Sequence, residues 1–310
     1  MNHIDGNTVR TAVSYSRWID TIENSFRLEQ GKDYIMPERT HVNFDNTTLL
    51  LMPCIAGKYF STKLITLFTG KSEAGKAPLK GLVLLNDRRD GEPLAVIDGP
   101  AITAMRTAAV GSYAIRHLSS PDSSYLGIVG LGIQGLHQAL FACSERSISE
   151  LTIFDKNNEL YDGFIVNFNT EYPDIRINIA KNNRELCEKS EIIITATNAR
   201  NPVLPDDEKL LTGKLVIGIG SYKKDMREFP DALYRLADYI YVDTMHGLKE
   251  SGDLISPVRD GLLSESDILW ADHLIKGKKA LGSTRVFKSV GTALFDLLGS
   301  VLVYETLFMK

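Results

Sequence analysis

Gly130, Gly132 and Gly135 stand at the spacing G-x-G-x-x-G, and Asp155 follows twenty residues after the third glycine. YLGIVG before them reads as a strand, IQGLHQALFACSERS after them as a helix, and Asp155 closes the next strand-like run, LTIFD. That is the context a dinucleotide-binding turn requires. The first glycine permits the tight turn and the second lets a pyrophosphate approach the backbone. The third allows close helix–strand packing, with the helix N-terminus facing the phosphates. A carboxylate at Asp155 can accept hydrogen bonds from ribose hydroxyls and would repel a 2′-phosphate, which favours NAD(H) over NADP(H). Lys156 is the counterweight, a cation at the same strand end that could bind such a phosphate.

A second constellation consists of cations. Arg39 lies in PERTHV, Lys63 in the otherwise apolar STKLITLF, and Arg106 in the small-residue stretch AITAMRTAAVGSYA. An ammonium among apolar neighbours needs a partner, and a long cation is a poor choice for packing a small-residue helix. Beside a dinucleotide fold, the three suggest a site for a carboxylate-bearing substrate. Arginine clamps a carboxylate bidentately and lysine acts as a movable point charge. No histidine pair has metal-ligand spacing and there is no G-x-S-x-G elbow, so no metal is expected and the chemistry is assigned to the cofactor.

Elements must hold these residues in place. From about residue 125 to 245, the runs YLGIVG, LTIFD, IRINIA, EIIITAT, KLVIGIG and YIYVD alternate with helical stretches. Each run is apolar along its whole length, as in parallel strands buried on both faces. The pattern is a Rossmann-like, doubly wound α/β sheet. The first 115 residues read differently: an amphipathic helix, SRWIDTIENSFRLEQG, precedes strand-like TTLLLMP, STKLITLFTG, LKGLVLLND and EPLAVIDG, joined by short turns as in an antiparallel sheet. A helix from about Thr103 to Leu118 follows. GTALFDLLGSVLVYETLF near the end is a strongly apolar helix expected to pack back on this first part. The expected partition is a discontinuous α+β substrate-binding and dimerisation domain, about 1–115 plus 288–310, with an inserted dinucleotide-binding domain, about 116–287.

Composition sets the outer limits. The 310 residues are 44% apolar and 24% charged, which excludes a disordered or collagen-like chain. With 35 Lys+Arg against 39 Asp+Glu and no basic tract, neither nucleic acid nor an anionic membrane is an expected partner. No run approaches the ~20 apolar residues of a membrane span, and the N-terminus lacks the apolar stretch of a signal peptide. Cys54, Cys143 and Cys187, far apart and odd in number, read as reduced, buried thiols. A cytoplasmic protein is expected.

The motifs together resemble the ornithine cyclodeaminase/mu-crystallin family over essentially the whole length. They are PERT at 37–40, STKLITLF at 61–68, PLAVIDGPAITAMRTAAV at 93–110, GIVGLGIQG at 127–135, GSYKKDMREFP at 220–230, YVDTMHGLKESGDL at 241–254 and FKSVGTALFD at 287–296. The resemblance implies a homodimer whose outer domains pair. It implies that Arg39, Lys63 and Arg106 contact the substrate's carboxylate and amine or imine, with Val290 beside the substrate. It assigns dinucleotide contacts to Ile133, Gln134, Asp155, Thr197, Gly220, Ser221 and Ser289.

One departure bears on the reaction. Cyclodeaminases of the family carry an acid/base aspartate at the third position of GSYKKDMREF, where this chain has Tyr222; mu-crystallin-like members have serine there and reduce cyclic ketimines. Lys224 stands where many relatives have proline. The expected activity is therefore NAD(P)H-dependent reduction of a small, cyclic 2-imino acid such as pyrroline-2-carboxylate, with Lys63, Arg106 and Tyr222 as catalytic candidates. The rivals are an ornithine cyclodeaminase, an amino-acid dehydrogenase working by reductive amination, and a nucleotide-binding protein without turnover.

Overall fold

The computed structural model describes residues 1–31, 33–68, 79–275 and 283–309. Thr69 and Gly70, the end of the strand-like run STKLITLFTG, lie outside them. The chain divides into two compact units, Met1–Arg106 with Thr292–Lys310, and Thr107–Gly291.

The first unit is built on strands β1 (Asn2–Ile4), β2 (Tyr34–Ile35), β3 (Thr40–Phe44), β4 (Thr47–Ala56), β5 (Tyr59–Phe68), β6 (Leu79–Asp87) and β7 (Pro93–Asp98). Their order among the described residues is β1-β7-β6-β5-β4-β2, with β3 also on β4. All pairs are antiparallel except β1 with β7. TTLLLMP reads as a strand ending at Pro53, yet β4 runs on to Ala56. Pro53 falls in the gap between the stretch that pairs with β3 and the stretch that pairs with β2, where a missing N–H breaks no ladder bond.

Alternation along β5 buries Ser61, Lys63 and Ile65 and turns Leu64 the other way. Two helices, Tyr15–Gly31 and Ala293–Phe308, pack together in this unit, the second also against β4, β5 and β6. Trp18, Ile22 and Phe26 are fully buried, each such burial contributing about 1.5–3 kcal/mol. Gly299 makes the close approach possible: a Cβ there would stand 2.6 Å from the Trp18 ring. Phe26 meets Phe295 edge-on, with ring centroids 5.4 Å apart.

The second unit holds β8 (Tyr125–Val129), β9 (Glu150–Phe154), β10 (Arg176–Ile179), β11 (Ile192–Thr195), β12 (Leu215–Gly218), β13 (Ile240–Val242), β14 (Ile268–Trp270) and β15 (Arg285–Lys288). They form one parallel sheet in the order β10-β9-β8-β11-β12-β15-β13-β14. From β8 the chain builds outward through β9 and β10, then returns to β11 on the other side. The switch point where α/β sheets bind ligands therefore falls at the end of β8, where the glycine turn lies.

The structure corrects one reading here and adds two strands. IRINIA is not buried on both faces: β10 is an edge strand and exposes Arg176 and Ile179. VFKSV contains a strand, β15, inserted between β12 and β13. ILW at 268–270 adds an eighth strand at the far edge. Among the described residues no helix is long and apolar enough to cross a membrane.

Candidate active site

In the first unit, Lys63 and Arg106 meet on one carboxylate. Lys63 Nζ lies 2.6 Å from Asp296 Oδ2, and Arg106 Nε donates to Asp296 Oδ1 at 3.0 Å. All three side chains are buried. Sheet alternation aims Lys63 inward, the helix Gly99–Leu118 carries Arg106, and Asp296 sits in the first turn of the helix Ala293–Phe308, where the helix dipole favours a carboxylate. Asp98 starts the Arg106 helix by accepting from Ala101 N at 2.7 Å.

Burial pushes the Lys63 ammonium down to about 8; Asp296 opposes that shift, while Arg106 and the more distant Arg39 reinforce it. Arg39 lies in the coil before β3, half-buried. Lys63 and Arg106 share the single carboxylate of Asp296, so this trio carries a net positive charge, which an incoming carboxylate would neutralise. Among the described residues the two terminal nitrogens of Arg106 make no hydrogen bond, so the bidentate edge of the guanidinium is available.

Asp296 was not among the candidates from sequence. Its signal is there in hindsight: an aspartate inside ALFDLLGSVLV, a helix otherwise bound for the core, needs a buried partner.

In the second unit the glycine turn has the geometry of a phosphate cradle. Gly130 has φ +98°, open to glycine at little cost. A Cβ on Gly135 would stand 1.8 Å from Gly130 O, so the helix Ile133–Glu145 can leave the turn only without a side chain there. At Gly132 a Cβ would meet nothing within 4 Å, and the helix N-terminus it begins has no side-chain cap. Gln134 Oε1 is buried there without a partner, and Ile133 is exposed. Open N–H groups at a helix start, an unfilled approach and an orphaned polar atom fit a dinucleotide pyrophosphate.

Asp155 is tied to this turn: Oδ2 accepts from Leu131 N and Oδ1 from Asn157 N, both at 2.8 Å. Its orientation is thereby fixed, and each oxygen keeps a lone pair for a ribose hydroxyl. Lys156 is exposed.

The loops after β11, β12 and β15 carry the remaining candidates, and buried carboxylates hold them. Glu228 accepts from Thr197 N and Oγ1 and from Gly220 N, at 2.7, 2.8 and 2.7 Å. Asp243, at the end of β13, accepts from Ser289 Oγ at 2.6 Å, Gly291 N at 2.8 Å and Val290 N at 3.1 Å. The Ser221 hydroxyl is turned inward, donating to Met226 O at 2.7 Å and lying 2.9 Å from Ser251 Oγ. Sequence gave neither Glu228 nor Asp243 a place in the site, because their partners come from separate loops that only the fold brings together.

Tyr222 is 45% exposed, with Lys223 Nζ 5.6 Å from its ring centroid. Partial burial, then Asp225, pushes its phenol further above its ordinary value, so it is a weaker acid than a free tyrosine. Asp225 forms a surface ion pair with Arg200 at 3.3 Å. All three cysteines are free thiols, and burial pushes each up to about 12, far from a nucleophilic thiolate.

A family model described as the ornithine cyclodeaminase/mu-crystallin family matches residues 5–310. A delta(1)-pyrroline-2-carboxylate reductase from Bacillus cereus is 33% identical over 283 residues, covering 87% of this chain and 86% of its own. The mouse ketimine reductase mu-crystallin is 34% identical over 278 residues, covering 88% and 83%. Among solved structures, the Thermococcus litoralis delta(1)-pyrroline-2-carboxylate reductase, in complex with NADH and L-proline, superposes with a TM-score of 0.91. It is 29% identical and is matched over 97% of its chain and 99% of this one.

Proposed function

As the chain belongs to the ornithine cyclodeaminase/mu-crystallin family, we propose that it is an NAD(P)H-dependent oxidoreductase that reduces small cyclic 2-imino acids such as pyrroline-2-carboxylate. The observation that carries this reading is the Lys63–Asp296–Arg106 cluster, a buried, net positive site suited to an imino acid's carboxylate. The relatives named as reductases of pyrroline-2-carboxylate and of ketimines support it.

A bound nicotinamide dinucleotide supplies the hydride. Gly130, Gly132, Ile133, Gln134 and Gly135 hold its pyrophosphate end, Asp155 its adenosine ribose, and Thr197, Gly220, Ser221 and Ser289 the rest. The carboxylate of Asp155 makes NAD(H) the preferred form over NADP(H). Arg106 and Arg39 clamp the substrate carboxylate, and Asp296 keeps Arg106 in a fixed rotamer. Lys63 stands at the imine nitrogen with an ammonium pushed down to about 8, a proton donor matched to neutral pH. Tyr222, its phenol pushed the other way, orients rather than protonates. Val290 forms an apolar wall beside the substrate. Arginine and lysine supply orientation and electrostatic stabilisation, which near-attack catalysis needs.

The same reading includes a homodimer through the first unit. The face of its sheet opposite Lys63 exposes Val42, Phe44, Phe68 and Leu82, and the β3-β4-β5 and β5-β6 registers place them on one side with Leu64. Exposed apolar side chains gathered on one sheet face, with Thr47, Thr66 and Lys80 among them, suit an interface between chains.

The test is an NADH-oxidation screen of the purified protein over cyclic 2-imino acids and over 2-oxo acids with ammonia or amines. Turnover confined to the cyclic imino acids supports the reading. Turnover confined to 2-oxo acids with amines makes the protein a reductive-amination dehydrogenase instead.

A further inference from the structure

The geometry points to Glu228 as a positioning residue for the dinucleotide, setting the loops after β11 and β12 in their binding form before the cofactor arrives. The inference rests on the reading that those loops take the cofactor.

Glu228 is fully buried, yet all three donors on its carboxylate come from two loop ends: Thr197 N and Oγ1 on Oε1, and Gly220 N on Oε2. The loops touch so closely that a Cβ on Gly220 would lie 1.8 Å from Thr197 O. Burial and the neighbouring Asp253 push this carboxyl above its ordinary range, while Lys288 and the Thr197 donors pull it back. In either protonation state all three donors converge on it from the two loops.

A second layer fixes the glutamate. The backbone N–H groups of Glu228 and Phe229 donate to Asp253 Oδ1 at 2.7 and 3.0 Å. Lys288 Nζ lies 3.5 Å from Asp253 Oδ2 and donates to Gly218 O, the last residue of β12, at 3.1 Å. Two carboxylates and one ammonium are thus sunk beneath the edge of the sheet where ligands bind in this fold class. Buried charges are a poor means of gaining stability, since apolar side chains of similar volume do as well or better. They are a good means of holding two loops in one conformation, which spares a ligand the cost of ordering them.

Glu228→Gln is the variant to measure. Its amide has one acceptor and one donor, so either Gly220 or Thr197 faces a donor. The dissociation constant for NADH, read from the enhancement of its fluorescence without turnover, is expected to rise about tenfold or more. At saturating NADH, kcat and KM for the imino acid are expected to stay within about threefold of the parent, because the fault lies in cofactor binding.

A folded variant that binds NADH as tightly as the parent overturns the inference. So does a loss of kcat that persists at saturating NADH, which marks a merely structural role. A parent protein that binds no NADH overturns the functional reading instead. Should Glu228→Gln not fold, amide hydrogen exchange on the cofactor-free parent decides: Thr197 and Gly220 are expected to exchange as slowly as the amides of β11 and β12, and exchange at open-loop rates overturns the clamp.

Discussion

Asp296 Oδ2 lies 2.6 Å from Lys63 Nζ, and both side chains are almost wholly withdrawn from water. Through its other oxygen the same aspartate fixes Arg106 at 3.0 Å. One carboxylate therefore sets the position of two cations and leaves them a surplus of positive charge.

Replacing Asp296 by Asn keeps the shape and removes the compensating charge. Removing one partner of a buried pair costs about 3–5 kcal/mol. Urea unfolding of Asp296→Asn is expected to show a loss of that order. A variant within about 1 kcal/mol of the parent, the usual range of an exposed pair, would show that the pair is not desolvated.

Arg106→Leu is expected to leave the fold intact and to lower kcat/KM for the imino acid. A bidentate, charge-assisted contact to a carboxylate is worth about 2–4 kcal/mol when desolvated, roughly 30- to 1000-fold. Steady-state kinetics beside a circular dichroism spectrum check this. Near-parental kinetics would remove Arg106 from the site.

Lys63 gives the pH dependence its sign. Its pKa in the folded protein is depressed to about 8, so the ammonium proposed as the proton donor is present below that pH and lost above it. In the parent, kcat/KM is expected to fall as pH rises through about 8. Lys63→Arg carries a charge that does not titrate there, so its residual activity should lack that limb. Both proteins share the substrate's own titration, and superimposable profiles would assign the limb to the substrate.

Asp155→Ser removes the carboxylate read as the ribose acceptor. Hydrogen bonds to a charged group are worth about 1.5–3 kcal/mol, so NADH binding should weaken by roughly 10- to 100-fold. NADPH binding should change little or improve, and titrating both cofactors by fluorescence measures the gap. A parent that already prefers NADPH would hand the strand end to Lys156.

The parallel sheet and its glycine turn were legible because their signals are local. Uniformly apolar runs, a fixed glycine spacing and a closing aspartate all sit within a few dozen residues. Lys63 and Arg106 were legible as anomalies, cations where the neighbours are apolar or small. Their shared partner was not, because Asp296 lies 190 residues from Arg106 and only the tertiary fold joins them. Glu228 and Asp243 escaped for a related reason, since their partners are mostly backbone N–H groups, which sequence does not distinguish. Strand β3 escaped because its alternation is carried by only two apolar residues, Val42 and Phe44, in a five-residue run that the structure leaves exposed. PERTHV thus gave Arg39 as a cation but not the strand beginning at Thr40.

The central claim is reduction of a preformed imine at a site with Tyr222 where a cyclodeaminase carries aspartate. Ornithine deamination needs a base to accept the amine proton and return it to departing ammonia, and a carboxylate suits that exchange. Reduction of a cyclic imine needs one hydride and one proton. The decisive measurement uses a single enzyme preparation: NADH loss with pyrroline-2-carboxylate, and ammonia released from ornithine with NAD. Robust NADH consumption with little or no ammonia is the expected result. Robust ammonia release with no reduction of the imine would contradict the account and direct attention to Asp225 as the carboxylate responsible.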